Sequence, residues 1–168
     1  MNRLVADTSA LVSLGVVSNQ DPSPLSLAFE HYEFHIPNEV ESELHDVAAY
    51  TDTHGQAATA ILGNIQAITI ENASLDQEFP LDDGENAAVT LANDLDAELF
   101  LCDEFNKLGL IHASLADTRL LTTPTLLSVL VNDGALSSSA ARNALDTISD
   151  ARSWETNAYV QRARTILD

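Results

Sequence analysis

Four acidic residues in this chain, Asp7, Glu43, Glu85 and Asp103, combine a side chain suited to chemistry with a suggestive placement. Asp7 directly follows the apolar run Arg3-Leu-Val-Ala6, and Asp103 follows Glu98-Leu-Phe-Leu-Cys102; both runs read as strands. As parallel neighbours, these strands would release both aspartates at the carboxyl edge of one sheet, where open α/β folds bind ligands. Glu43 and Glu85 lie on segments with the periodicity of amphipathic helices. Carboxylates forced together repel one another unless something positive sits between them, and a hard divalent cation is the usual solution.

The chain holds 26 Asp and Glu residues, so these four have to be distinguished from the others. Asp7 opens Asp7-Thr-Ser-Ala-Leu11, where it reads either as a helix N-cap or as a metal ligand steadied by the two hydroxyl residues after it. On the third helix Glu39, Glu41 and Glu43 compete. The apolar stripe there is Val40, Leu44 and Val47. At about 100° per residue, Glu43 lies roughly 65° from the stripe centre and the other two lie further round. Glu43 is therefore the one that reaches the edge of a buried face. Glu85 follows Leu81-Asp-Asp-Gly84, and its spacing from Asp82 also fits a capping box. Asp103 sits where a buried strand should meet a crevice.

Strands alternating with helices have to hold these acids in place. The first strand is followed by a helix from Ser9 to about Asn19, and a short helix runs from the Asp21-Pro-Ser-Pro24 break to about His31. Phe34-His-Ile36 reads as a strand, Asn38 as the N-cap of a helix to about Tyr50, and residues 54–65 as an Ala-rich helix. A strand is expected at Ala67–Ile70, a polar loop at Leu75–Asp82 and a helix at Gly84–Leu95. After the Glu98–Cys102 strand come a helix at Phe105–Leu115, a strand at Arg119–Thr122 and a helix that Pro124 starts and Gly134 ends. Helices at about 137–151 and 154–167 complete the chain. The pattern predicts α/β architecture, a central parallel sheet with helices on both faces, in a single domain over residues 1–168.

The formal net charge is −19, with seven basic residues of which only Lys107 is a lysine. Such a balance ordinarily argues against a nucleic-acid partner, because phosphate affinity comes largely from Lys and Arg. It is also the balance of a chain adapted to molar salt, where the Debye length falls to roughly 3 Å and surface repulsion is screened. We take the charge as that halophilic signal. Four arginines, Arg142, Arg152, Arg162 and Arg164, fall on the last helices and read as an ordinary solvated face in preference to a partner or nucleic-acid surface. Cys102 is the only cysteine, which excludes an intramolecular disulfide and a cysteine-built zinc site. No HExxH pattern is present, and Pro37 prevents His31 and His35 from sharing a helix. The sequence opens straight into a strand and no apolar run approaches membrane-spanning length, so the expected location is cytoplasmic, with no membrane partner.

The ordered set Asp7-Thr-Ser, Ile36-Pro with Glu43, Asp83-Gly-Glu85 and Leu101-Cys-Asp103-Glu-Phe resembles the PIN-domain family. The tail from Leu120-Leu-Thr-Thr-Pro to Asp133-Gly-Ala-Leu136 is similar to one branch of it, and the resemblance spans roughly residues 3–136. It implies a three-layer α/β/α fold with a parallel sheet and a ribonuclease dependent on Mg²⁺ or Mn²⁺. Asp7, Glu43, Glu85 and Asp103 would then be the catalytic, metal-holding acids. The implied partners are an RNA substrate, an antitoxin protein if the chain is the toxin of a toxin–antitoxin pair, and a second copy of the chain. Glu85 stands where many relatives carry aspartate. The family's further acid after Asp103 has no clear counterpart, since Glu104 is adjacent and Asn106 and Lys107 follow.

A non-catalytic PIN-like module that binds protein or RNA is the competing expectation. A phosphoacceptor receiver domain would need paired acids after its first strand and a lysine near its last, and this chain has neither. A haloacid-dehalogenase-type phosphatase would need Asp-x-Asp after the first strand, where Ser9 occupies the second position.

Overall fold

The first strand, β1 (Asn2–Ala6), lies at the centre of the molecule, and Leu4, Val5 and Ala6 are wholly buried. Such a run of apolar residues with no alternation marks a strand covered on both faces. The computed structural model describes residues 1–168. Its sheet comprises β1, β2 (Tyr32–Pro37), β3 (Ile68–Glu71), β4 (Leu99–Leu101) and β5 (Arg119–Leu121), in the order β3-β2-β1-β4-β5. Every pairing is parallel, with Leu4 opposite both Phe34 and Leu99. Nine helices flank the sheet, giving the expected three-layer α/β/α arrangement. None of them is long and apolar enough to cross a membrane.

The chain first winds outward from β1 through β2 to β3, then returns to lay β4 against the other side of β1. The boundary between β1 and β4 is therefore the switch point at which open α/β sheets form their crevice. The ladder continues one step beyond the strands there: the Asp7 amide donates to Leu101 O at 2.9 Å and the Cys102 amide to Leu121 O at 2.9 Å.

Five helices border the crevice. They are α1 (Thr8–Val16), α3 (Asn38–Ala48), α4 (Thr53–Leu62), α5 (Asp83–Asp94) and α8 (Ser138–Arg152). Around them lie α2 (Pro24–His31), α6 (Leu108–Ser114), α7 (Thr123–Asn132) and α9 (Ala158–Leu167). A core of 41 buried residues, including Phe34, Phe100, Leu11, Leu44 and Leu126, joins the layers. His35 is buried within β2 with its ring nitrogens hydrogen-bonded to Glu33 and Glu71, so it serves the sheet.

Local chemistry corrects several expected boundaries. Asn38 does not cap α3; it is the first helical residue, Pro37 holds the cap position without a side-chain bond, and the Asn38 amide group pairs with Asn72 instead. The cap of α4 is Asp52, which accepts from the Gly55 amide at 2.9 Å. The segment after Asp103 is a single 3-10 turn, Phe105–Lys107, before α6 begins. Helix α9 starts at Ala158, not at Trp154. Ser153, in the left-handed conformation (φ 58°), ends α8, and the Trp154 amide reaches back to Ser149 O at 3.0 Å. That closure folds the Trp154 side chain inward, leaving it 7 % exposed.

Candidate active site

A cleft of about 230 Å³ opens at the β1/β4 switch point, lined among others by Asp7, Glu43, Asp82, Glu85, Glu104 and Arg152. Asp7 is delivered there by the end of β1, and it also caps α1. Its Oδ1 accepts from the Thr8 amide at 2.8 Å, and its Oδ2 accepts from the Ser9 hydroxyl at 3.2 Å and the Cys102 thiol at 3.4 Å. Burial outweighs these bonds and pushes its pKa up to about 7. Burial also pushes up the Cys102 thiol, which stays protonated and inert.

Asp103 follows β4 and does not itself line the cleft; Ser9 joins it to Asp7. Its amide donates to Ser9 Oγ at 3.0 Å, while its Oδ1 accepts from the Thr123 amide at 2.7 Å. Thr123 opens α7, so this carboxylate also takes the positive end of a helix dipole. Its other oxygen, Oδ2, is buried with no hydrogen-bond partner. Burial raises the pKa of this group as well.

Glu85 sits in a capped first turn, but its side chain goes to the cleft. Its amide donates to Asp82 Oδ1 at 2.9 Å, the first half of a capping box. Its side chain does not complete the box; Oε1 accepts from Lys107 Nζ at 2.7 Å, and Oε2 is buried and unpartnered. Burial, with the Asp82 hydrogen bond and charge beside it, raises the Glu85 pKa to about 7 despite the lysine. Lys107 also lies 3.7 Å from Asp82.

Glu43 is the member of its trio that enters the cleft; Glu39 and Glu41 stay outside it. Its Oε1 accepts from the Thr8 hydroxyl at 3.0 Å, and burial raises its pKa. Gly84 makes the space: a Cβ there would overlap Glu43 Oε1. The Asp83-Gly-Glu85 motif thus supplies one acid and admits another.

Three contributors escaped the sequence reading. Lys107 is the single lysine, and it is spent on this acidic cleft. Arg152 does not belong to a solvated face; its Nη1 donates to Ser9 O at 3.0 Å, and its guanidinium lies 5.8 Å from the Trp154 ring centroid. His54 lines the cleft with a buried, unpartnered Nε2. Only the lone lysine among so many acids was a visible signal; the other two depend on contacts between distant segments. Of the remaining arginines, Arg162 is exposed as a solvated face requires, whereas Arg142 donates to Leu167 O and Arg164 pairs with Asp146.

A family model described as a PIN domain matches residues 3–167. The chain belongs to the PIN-domain family. The match runs through both C-terminal helices and so extends beyond the motifs read from the sequence. No curated protein and no solved structure matches the chain. PIN domains are a nuclease-type fold and typically use divalent metals. In this PIN domain the donor chemistry suits a hard cation, because the cleft offers carboxylate oxygens and two buried carboxylates each keep an unpartnered oxygen. As they stand, however, no three His, Cys, Asp or Glu side chains are gathered to hold one ion. Ligation would require the carboxylates to turn toward a common point.

Proposed function

We propose that this PIN domain is a divalent-metal-dependent endoribonuclease. The observation that carries the reading is the state of its acids: Asp7 and Glu85 are held near pKa 7, and Glu85 and Asp103 each bury a carboxylate oxygen without a partner. An arrangement that disfavours its own ionised form is one that a cation would relieve.

Asp7, Asp103 and the free oxygen of Glu85 are the groups that would hold Mg²⁺ or Mn²⁺ directly. Such an ion supplies a bound water of lowered pKa and offsets charge on the phosphoryl oxygens. The chain's own residues do the positioning. The Thr8 amide and the Ser9 hydroxyl orient Asp7, the Thr123 amide orients Asp103, and the Thr8 hydroxyl orients Glu43. Glu43, half-buried with a raised pKa, is the acid we assign to take the proton of the attacking water, in place of direct metal ligation, as the phosphorus–oxygen bond to the leaving strand breaks. Arg152, on the rim, supplies positive charge toward a phosphate.

We read the charge of −19 as adaptation to high salt, and the partners as an RNA substrate, an antitoxin protein over the cleft and a second copy of the chain. The test is cleavage of single-stranded RNA in concentrated KCl with Mg²⁺, with Mn²⁺ and with EDTA. Cleavage should require metal and vanish in Asp7→Asn and Asp103→Asn; equal activity in all three proteins would overturn the assignment. The ungathered ligands favour a second reading, a PIN module that binds without cutting. Tight RNA binding without metal-dependent cleavage would select it.

A further inference from the structure

An aromatic ladder leads away from the acidic cleft. Arg152, on the cleft rim, lies against Trp154. Trp154 meets Phe105 edge-on, with ring centroids 4.9 Å apart and planes at 67°. Phe105 in turn stacks on Tyr159, at 5.5 Å and 12°. Aromatic residues make up only 5 % of the chain, so three in one stack are a concentrated investment. Tyr159, the last rung, is 50 % exposed and forms one wall of a second pocket of about 440 Å³.

That pocket has the chemistry of a base site. Leu108 and Leu120 supply apolar surface, and Thr122, Thr125 and His112 supply hydrogen-bonding groups. No Asp or Glu lines it, although acids are the most abundant charged groups of the molecule. A polyanion repelled elsewhere meets no carboxylate here. The segment from Glu104 to Leu108 separates the two sites, with Glu104 lining the cleft and Leu108 the pocket.

We propose that this pocket takes an unpaired nucleobase of the RNA whose backbone lies at the acidic cleft, with the base stacked on Tyr159. The placement of the backbone rests on the nuclease reading. The logic is electrostatic. With seven basic residues and a charge of −19, the chain gains little from phosphate attraction, and concentrated salt weakens even that. Base–aromatic stacking is not a charge interaction, and every base presents a flat face. Phe105 and Trp154 back the tyrosine, so its ring is held before the base arrives. A base inside a duplex is already stacked and cannot enter, which makes single strands the substrate class.

The experiment is fluorescence anisotropy of fluorescein-labelled oligoadenylate, alone or annealed to oligouridylate, in concentrated KCl with EDTA so that nothing is cut. Wild type should prefer the single strand. Tyr159→Ala should weaken binding roughly 5- to 150-fold, whereas Tyr159→Phe, which keeps the ring, should bind like wild type. Circular dichroism and Trp154 emission confirm that the variants are folded. Equal binding by wild type and Tyr159→Ala, no binding by wild type, or no preference over duplex each overturns the inference. Cleavage with Mn²⁺ is scored separately. A protein that cuts RNA but ignores Tyr159→Ala refutes the base pocket alone, and one that loses binding in Tyr159→Ala yet never cuts refutes the nuclease alone.

Discussion

Replacing Asp7 by asparagine is expected to make the protein more stable in neutral and alkaline solution. Asp7 is 3 % exposed, and its pKa moves from an ordinary 3.8 to about 7 on folding. The folded protein therefore binds this proton more tightly than the unfolded chain. Below pH 3.8 both states are protonated and the group costs nothing. As pH rises from there toward 7, the unfolded chain ionises first and stability falls; above about 7 the loss is complete. At about 1.4 kcal/mol per pKa unit, the gap amounts to about 4 kcal/mol. Asparagine removes it while keeping an acceptor for the Thr8 amide, so a net gain of about 2–4 kcal/mol is expected at about pH 8, and about 2.5 kcal/mol less at about pH 5. Urea denaturation of both proteins at the two pH values, at fixed salt, measures it. Added Mn²⁺ should narrow the difference by stabilising wild type alone. An asparagine variant that is no more stable at the higher pH, or whose advantage is the same at both, would refute the burial argument.

Two further substitutions test the surroundings of the acids. Gly84→Ala places a methyl group where Glu43 Oε1 now lies, so Glu43 should lose its Thr8 bond; RNA cleavage should fall about tenfold with the melting temperature little changed, and unaltered cleavage would show that Glu43 is not needed in that position. Lys107→Met strips Glu85 of its counter-charge, so the Glu85 titration, followed by carboxyl-carbon NMR, should move above about 7. Because the lysine side chain is 42 % exposed, the loss of stability should be only about 1 kcal/mol. An unmoved Glu85 would mean that the ion pair does not form in solution.

The α/β architecture was legible because the determinants are local. Leu4-Val-Ala6 and Phe100-Leu-Cys102 are apolar without interruption, and their shortness, together with their alternation with helical segments, marks strands buried on both sides. The angle that separated Glu43 from Glu39 and Glu41 is likewise a property of one helix. Asp7 and Glu85 each offered two readings, cap or cleft; Asp7 fills both roles, whereas Asp82 does the capping beside Glu85, whose own side chain enters the cleft. An N-cap carboxylate already stands at a helix end, and in this fold the helix ends face the crevice. Arg152 was not legible, because its identity as a cleft residue depends on a carbonyl 143 positions earlier in the chain. Asn38 failed as a cap for a related reason: its side chain is drawn to Asn72, which no local pattern reveals.

The bond from Arg152 to Ser9 also bears on the timing of synthesis. The ribosome makes all four acids of the crevice by residue 103, but the guanidinium only at residue 152. Domains take shape from the amino end while the rest is still being made. A growing chain thus carries bare, mutually repelling carboxylates for some fifty residues of elongation (roughly 3–10 s at ordinary speeds). During that interval it lacks Arg152 and the Trp154 and Tyr159 rungs of the ladder beyond it.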